Sequence, residues 1–261
     1  MAPPSVKTES AIAPSFLELP DRRRIAYHAS AGKGPGVIFM GGFKSDMTGS
    51  KALALEAFCQ QQGRHFVRFD YTGHGRSSGT FREGNIGRWT QDALDVIDRL
   101  GARQNILTGS SMGGWIMLLA ALARPDKTCG LLGIAAAPDF TERLMWQQMT
   151  PQQQDAVMKA GEIAYPNCYG DEPYPITRQL IEEGRNHLLL DGPLRIDVPV
   201  RLIHGLQDKD VPWQTSITLS ERLTSAHVRI QLLKDAGHRL SEPHELDILT
   251  STLTELLNEI E

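Results

Sequence analysis

Short apolar runs alternate along this chain with longer stretches of helical spacing. Val37–Met40, Phe66–Tyr71, Ile106–Gly109, Leu131–Ala136, Val200–His204 and Val228–Leu233 are rich in β-branched and aliphatic residues and stop near Gly, Asp or Pro. Strands buried on both faces have this signature. Lys51–Gln62, Trp89–Leu100, Met112–Ala123, Trp213–Leu223 and Pro243–Glu261 predict helices. In the second of these, Trp89, Ala93, Val96, Ile97 and Leu100 make one apolar stripe, and Gly101 follows it. The alternation predicts an α/β fold, a mostly parallel central sheet with helices on both faces. Arg24–His28 and Phe16–Leu19 add an antiparallel edge at the start.

Residues 139–194 break the alternation. They are rich in Gln, Met, Pro and Tyr and are punctuated by Pro151, Pro166, Pro173, Pro175 and Pro193. No run among them resembles a buried strand, whereas Thr141–Met149, Gln152–Ala160 and Ile176–Glu183 predict short helices. The expected organisation is a flexible Pro/Ser-rich arm over 1–14, a core made of 15–138 and 195–261, and a small helical cap, 139–194, inserted over the sheet's working edge.

The densest chemical signal is Gly109-Ser110-Ser111-Met112-Gly113, a G-x-S-x-G that follows a predicted strand and opens a predicted helix. A serine presented on so sharp a turn needs glycine two residues to either side, and Gly109 and Gly113 supply it. Ser110 lacks that symmetric pair. The helix beginning at Met112 aims its free N–H groups and positive dipole end at Ser111. A serine hydroxyl needs a base, itself oriented by an acid, and on such scaffolds the acid and then the histidine follow the serine along the chain.

His238 comes after the last predicted strand and the turn Lys234-Asp235-Ala236-Gly237, where the base belongs. His28, His65 and His227 sit at element borders, His74 in the Gly73–Gly75 loop, His187 in the insertion and His244 in the first turn of the final helix. His204 ends a strand just before the acid loop and reads as a hydrogen-bonding partner. For the acid, Asp208 and Asp210 both follow Val200–His204, at the strand end where such groups collect. Spacing alone does not separate them; Asp139 is a third candidate, with the alternative role of capping the entry to the insertion. Two N–H donors are needed for an oxyanion. Met112 provides one, and the loop Gly41-Gly42-Phe43-Lys44 provides the other, assigned to Phe43. Phe140, Leu144, Met145, Trp146 and Met149 suit an acyl-chain wall under the cap, or equally the cap's own small core.

Composition narrows the function classes. Hydrophobic residues make up 41% and charged ones 22%, with 27 Lys and Arg against 31 Asp and Glu for a net charge of −4. That balance offers no general attraction to nucleic acid or anionic lipid. Cys59, Cys129 and Cys168 form neither a disulfide framework nor a CxxC site and suit a reducing compartment. No metal-ligand spacing and no G-x-G-x-x-G after the first strand is present, so neither metal nor nucleotide cofactor is expected. The uncharged run Gln104–Ala123 is divided by polar residues and glycines, so no integral membrane segment is expected.

Longer stretches carry a resemblance. Gly42-Phe43-Lys44-Ser45-Asp46-Met47-Thr48-Gly49-Ser50-Lys51-Ala52, Arg68 to Ser77, Gly109 to Trp115, Ala123-Arg124-Pro125, and His204-Gly205 through Asp208 to Val211-Pro212-Trp213 resemble the α/β-hydrolases. Within them they resemble the branch of palmitoyl-protein thioesterases that also cleave acyl glucuronides. The spacing Ser-x-Met-x-Gly-x-Lys-Ala sets that branch. The resemblance implies an α/β-hydrolase fold and the triad Ser111, Asp208 and His238. It also implies cleavage of carboxylic esters or acyl thioesters, of a small molecule or an acylated protein, through an acyl-serine. The branch's mitochondrial presequence has no counterpart here, which leaves a cytoplasmic location as the expectation. The insertion matches only in patches such as His187 with Leu189-Leu190. The alternatives are cleavage of C–C bonds, lactones or peptides on the same scaffold, or a binding protein without catalysis.

Overall fold

The computed structural model describes residues 13–165 and 173–261. The arm expected over 1–14 lies outside them except for Ala13 and Pro14, as does Cys168. In chain order the strands are β1 (Ser15–Glu18), β2 (Arg24–Ser30), β3 (Lys33–Met40), β4 (Arg64–Phe69), β5 (Asn105–Ser110), β6 (Thr128–Ile134), β7 (Glu162–Tyr165), β8 (Tyr174–Thr177), β9 (Val200–Gly205) and β10 (Val228–Leu233). The helices are α1 (Ser50–Gln61), α2 (Ile86–Leu100), α3 (Met112–Ala123), α4 (Pro151–Ala160), α5 (Arg178–Gly184), α6 (Gln214–Arg222) and α7 (Pro243–Ile260).

Eight strands form one sheet in the order β1-β2-β4-β3-β5-β6-β9-β10. Only β1–β2 and β2–β4 pair antiparallel; every other neighbouring pair is parallel. Alternation along the central strands divides the core in two. Ile38 and Met40 of β3 and Leu107 of β5 face a cluster with Trp89 and Trp115. Val37, Phe39 and Ile106 face the opposite cluster, with Leu55 and Cys59 of α1 and Leu253 and Leu256 of α7. From β3 the chain goes first to β4 on one side and then to β5 on the other, so the loops after β3 and β5 diverge at a switch in strand order. Crevices at such points hold the ligands of open α/β sheets.

The segment 139–194 leaves the sheet after β6 and returns before β9. It differs from the expected set of short helices. Over Thr141–Met145 the backbone makes a π-helical turn, followed by a single 3-10 turn, Trp146–Gln148. Ile176 and Thr177, expected in a helix, belong to β8, which pairs antiparallel with β7. Pro175 lies in β8 opposite Ala164, and an edge ribbon tolerates its missing N–H. The helix starts only at Arg178, where the Thr177 hydroxyl accepts the Leu180 N–H at 3.1 Å. Helix α4 is framed by a Thr150–Gln153 capping box and by Gly161 at φ 87°. Among the described residues, no helix is long and apolar enough to cross a membrane.

Candidate active site

Ser111 stands between β5 and α3 at φ 55° and ψ −119°, a conformation that costs a non-glycine residue about 1–3 kcal/mol. The surroundings impose it. The Ser111 N–H donates to the Ile134 carbonyl at 2.9 Å, and its own carbonyl accepts from Gly114 at 2.8 Å and from Ala137 at 3.0 Å. A Cβ on Gly109 would lie 2.2 Å from the Gly113 carbonyl oxygen, and one on Gly113 would lie 2.1 Å from the Met40 carbonyl oxygen. Only glycine fits at either place, so the turn that lifts Ser111 is written into those two residues. Ser110 is the last residue of β5 and is buried.

The Ser111 hydroxyl lies 3.0 Å from His238 Nε2, and His238 Nδ1 lies 2.7 Å from Asp208 Oδ2. Nδ1 faces a carboxylate, so it carries the hydrogen and donates, which leaves Nε2 to accept from the hydroxyl. The Asp208 side chain is wholly buried. Its Oδ1 accepts the N–H groups of Asp210 and Val211, both at 2.9 Å, and its Oδ2 also accepts from His204 Nε2 at 3.1 Å. Burial alone would raise the Asp208 carboxyl. The hydrogen bonds from His204 and His238 and the Val211 N–H outweigh burial and hold it well below the usual carboxylate range. The two loops involved are locked together: a Cβ on Gly205 would meet the Ala236 carbonyl at 2.2 Å, and the Gln207 N–H donates to that carbonyl at 2.9 Å.

The loop after β3 lies against the serine. A Cβ on Gly42 would come 3.5 Å from Ser111 Cβ. Lys44, at φ 56°, gives its N–H to His74 Nε2 at 3.1 Å, and Ser45 gives its N–H to the Gly42 carbonyl at 3.1 Å. Phe43 lies between these anchored residues. Its ring sits edge-on to Phe81 at 4.9 Å, Phe140 at 5.5 Å, Tyr174 at 5.6 Å and Trp89 at 5.9 Å. Met112 is the first residue of α3, so its N–H is one of four a helix leaves without an internal partner.

Of the five residues expected to line an acyl pocket, Phe140 and Met149 are buried in the cluster beneath 139–194, with Phe140 5.7 Å from Trp115. Leu144, Met145 and Trp146 pack against that cluster and are partly exposed. Asp139 does not join the serine and histidine. Its two carboxylate oxygens accept the N–H groups of Leu189 at 2.8 Å and Leu190 at 2.9 Å, closing the base of the inserted segment. The helix after the acid loop begins at Gln214 behind Trp213, whose side chain makes no cap. Asp208, Asp210 and His238 offer ligand atoms within 4.8 Å of one another, but both ring nitrogens of His238 are already engaged. His187 pairs with Glu183 at 2.6 Å within the insertion. Sequence reasoning did not anticipate the grip of His74 on the β3 loop; the signal available was a histidine between two glycines in Gly73-His74-Gly75.

A model of the alpha/beta hydrolase family matches residues 53–247. The chain belongs to that family. This α/β-hydrolase is 40% identical over 247 residues to the mitochondrial palmitoyl-protein thioesterase ABHD10 of Homo sapiens, spanning 94% of this chain and 80% of that protein. Its structure superposes on alpha/beta hydrolase domain-containing protein 10 from mouse with a TM-score of 0.89 and 37% identity, covering 96% of this chain and 100% of the other. A putative hydrolase from Agrobacterium vitis S4 matches with a TM-score of 0.88 and 36% identity over 96% of this chain and 98% of that one.

Proposed function

We propose that this hydrolase cleaves acyl thioesters and carboxylic esters through an acyl-serine, with Ser111 as nucleophile, His238 as base and Asp208 as the orienting acid. The carrying observation is the unbroken line of contacts from the Ser111 hydroxyl through His238 to Asp208, at 3.0 and 2.7 Å. His238 Nε2 takes the hydroxyl proton as Oγ bonds to the acyl carbon. Asp208 holds the ring by Nδ1–H and offsets the charge it gains. The N–H groups of Phe43 and Met112 bind the oxyanion, and losing either costs about 3 kcal/mol of barrier. As the tetrahedral intermediate collapses, the bond to sulfur or oxygen breaks and the imidazolium protonates the departing thiolate or alkoxide. A water then gives its proton to His238 and attacks the acyl carbon, and the acid and Ser111 are released.

In this reading, 139–194 is the cap, and Leu144, Met145 and Trp146 line an acyl channel whose floor is Phe140 and Met149. The apolar character of that wall, together with the likeness to a palmitoyl-protein thioesterase, favours a long-chain acyl thioester, on a protein or on a small thiol. Burial pushes the thiol of Cys59 up to about 12 and that of Cys129 up to about 11, so both stay unreactive. We place the protein in the cytoplasm; cell fractionation that recovers it with mitochondria, where its human relative resides, overturns that location.

A fluorophosphonate reagent should label the native protein and leave Ser111→Ala unlabelled, with hydrolysis falling on the order of 10⁵- to 10⁶-fold. A series of acyl thioesters and oxygen esters from C4 to C16 should show kcat/KM rising with chain length for the thioesters. Labelling that survives in Ser111→Ala overturns the nucleophile. A preference for short oxygen esters overturns the long-chain thioester.

A further inference from the structure

His204, next to last in β9, has its ring wholly buried. Nε2 lies 3.1 Å from Asp208 Oδ2 and 3.0 Å from the Val211 carbonyl, while Nδ1 lies 2.8 Å from the hydroxyl of Ser216 in α6, itself buried. Both oxygens at Nε2 can only accept, so the hydrogen sits on Nε2. Nδ1 then accepts from the Ser216 hydroxyl, and every partner is satisfied by that one tautomer. The two acceptors at Nε2 select the form of the ring that donates to Asp208, and the Ser216 hydroxyl holds the other side of the ring by donating to Nδ1.

We propose that His204, fixed by Ser216, is a positioning residue that acts through Asp208 to set both the aim and the basicity of His238. The inference rests on the proposed role of Asp208 and His238. Oδ2 of Asp208 serves two imidazoles at once, and Oδ1 is held by two backbone N–H groups. Four donors leave the carboxylate no rotational freedom, which fixes the line along which His238 points at Ser111. They also spread its negative charge, so the share of that charge felt by His238 is smaller than a lone carboxylate would give. Without the His204 donor the full charge falls on His238, its imidazolium is favoured, and the base becomes protonated at higher pH. The ionisable neighbours of the carboxylate are His204, His238 and, through its side chain, Asp210, which stays in place in every variant below.

The test uses the full chain with the variants His204→Leu, His204→Gln and Ser216→Ala, and follows kcat and KM for butyryl thioester hydrolysis against pH. His204→Leu should lower kcat by 10- to 100-fold with KM changed less than twofold, and move the acid limb of kcat/KM up by half a pH unit or more. His204→Gln, whose amide nitrogen can donate at the same reach, should restore most of kcat and return the limb. Ser216→Ala, which keeps the ring but removes the hydroxyl that holds its Nδ1 side, should move the limb in the same direction by a smaller amount. If His204→Leu does not fold, Ser216→Ala and His204→Gln decide the matter: a limb unmoved in a folded Ser216→Ala protein overturns the proposal. So does a folded His204→Leu protein with native kcat and an unmoved limb. The His238 ring titration followed by NMR should shift upward in the same variants. A native protein with no hydrolytic activity defeats the functional reading, and the NMR shift still tests the inference.

Discussion

His74 Nε2 accepts the backbone N–H of Lys44 at 3.1 Å, tying the loop after β4 to the residue that follows Phe43. The ring is buried, packed edge-on against Tyr71, Phe81 and Trp89, and its Nδ1–H points at the Thr72 carbonyl 3.4 Å away. Burial disfavours the charged ring and pushes its pKa down from 6.5 to about 4, against the opposing hydrogen bond to the Thr72 carbonyl. The unfolded chain binds that proton more readily than the folded one. The stability His74 contributes is therefore complete above pH 6.5 and is lost as pH falls from 6.5 towards 4, by about 3 kcal/mol at most. His74→Gln keeps an acceptor for Lys44 and cannot titrate. Urea midpoints measured from pH 7 to pH 4 should fall less steeply in that variant than in the native protein; equal slopes would assign the acid sensitivity elsewhere.

The two glycines of the serine turn are crowded by backbone atoms in a way that Gly192 is not. A methyl on Gly113 meets the carbonyl oxygens of Met40 at 2.1 Å and Gly41 at 2.6 Å, backbone atoms that cannot swing away. Gly113→Ala should destabilise by about 2–3 kcal/mol and shift Tm down by several degrees. Hydrolysis should fall by more than 100-fold, because α3 is pushed off the end of β3 and carries Ser111 with it. A Cβ on Gly192 meets nothing within 4 Å. Gly192→Ala should leave both Tm and rate within error. Thermal melts and ester hydrolysis of the pair check the contrast, and equal behaviour would show that the turn tolerates displacement.

The sheet was legible because its strands carry two kinds of information at once. In β3 and β5 the apolar runs are continuous, which marks burial on both faces, and the alternating residues then fall into the two core clusters without further instruction. The serine turn was legible because its glycines answer a steric demand that can be stated before any coordinates exist. What was not legible depends on contacts between distant segments. Tyr174–Thr177 pairs with Glu162–Tyr165 across residues whose local preferences do not specify a ribbon. Spacing leaves Asp208 and Asp210 open; the family resemblance names Asp208, and it is Asp208 that lies 2.7 Å from His238 Nδ1. His74 acts through its neighbour's backbone, and a side chain that binds backbone leaves no spacing pattern in the sequence.

Phe43 joins three parts of the molecule through one ring: Phe81 and Trp89 of the core, Phe140 at the start of the inserted segment and Tyr174 of β8. Phe43→Ala removes all four edge contacts while keeping the backbone N–H assigned to the oxyanion. The loss of packing should cost about 3 kcal/mol. The kinetic signature should be a KM raised several-fold for long acyl chains, since the wall around Phe140 loses its support, with kcat for a butyryl ester reduced less than tenfold. A kcat loss of 100-fold or more for the short ester would mean that the ring, not the backbone alone, holds the loop in its working shape.

Asp139 provides the last test, because it separates the stability of the inserted segment from that of the sheet. It sits at φ 60° with no exposed side-chain surface, and its carboxylate spans about fifty residues of sequence to hold the Leu189 and Leu190 N–H groups. Close by, the Trp115 indole N–H donates to the His187 carbonyl at 3.0 Å, so the same short stretch is tied to α3 as well. Asp139→Ala strands two N–H donors that the native carboxylate accepts, at about 1–3 kcal/mol each. Asp139→Asn keeps one acceptor and turns an NH₂ towards the other N–H, so it should lie between alanine and native. Because the indole bond and the aromatic cluster remain, the loss should appear as local opening. Amide hydrogen exchange at Leu189 and Leu190 should accelerate at least 100-fold in Asp139→Ala while amides of β5 and β6 change by less than tenfold. Uniform acceleration across the sheet would show instead that the segment and the core unfold as one unit, and that Asp139 holds both.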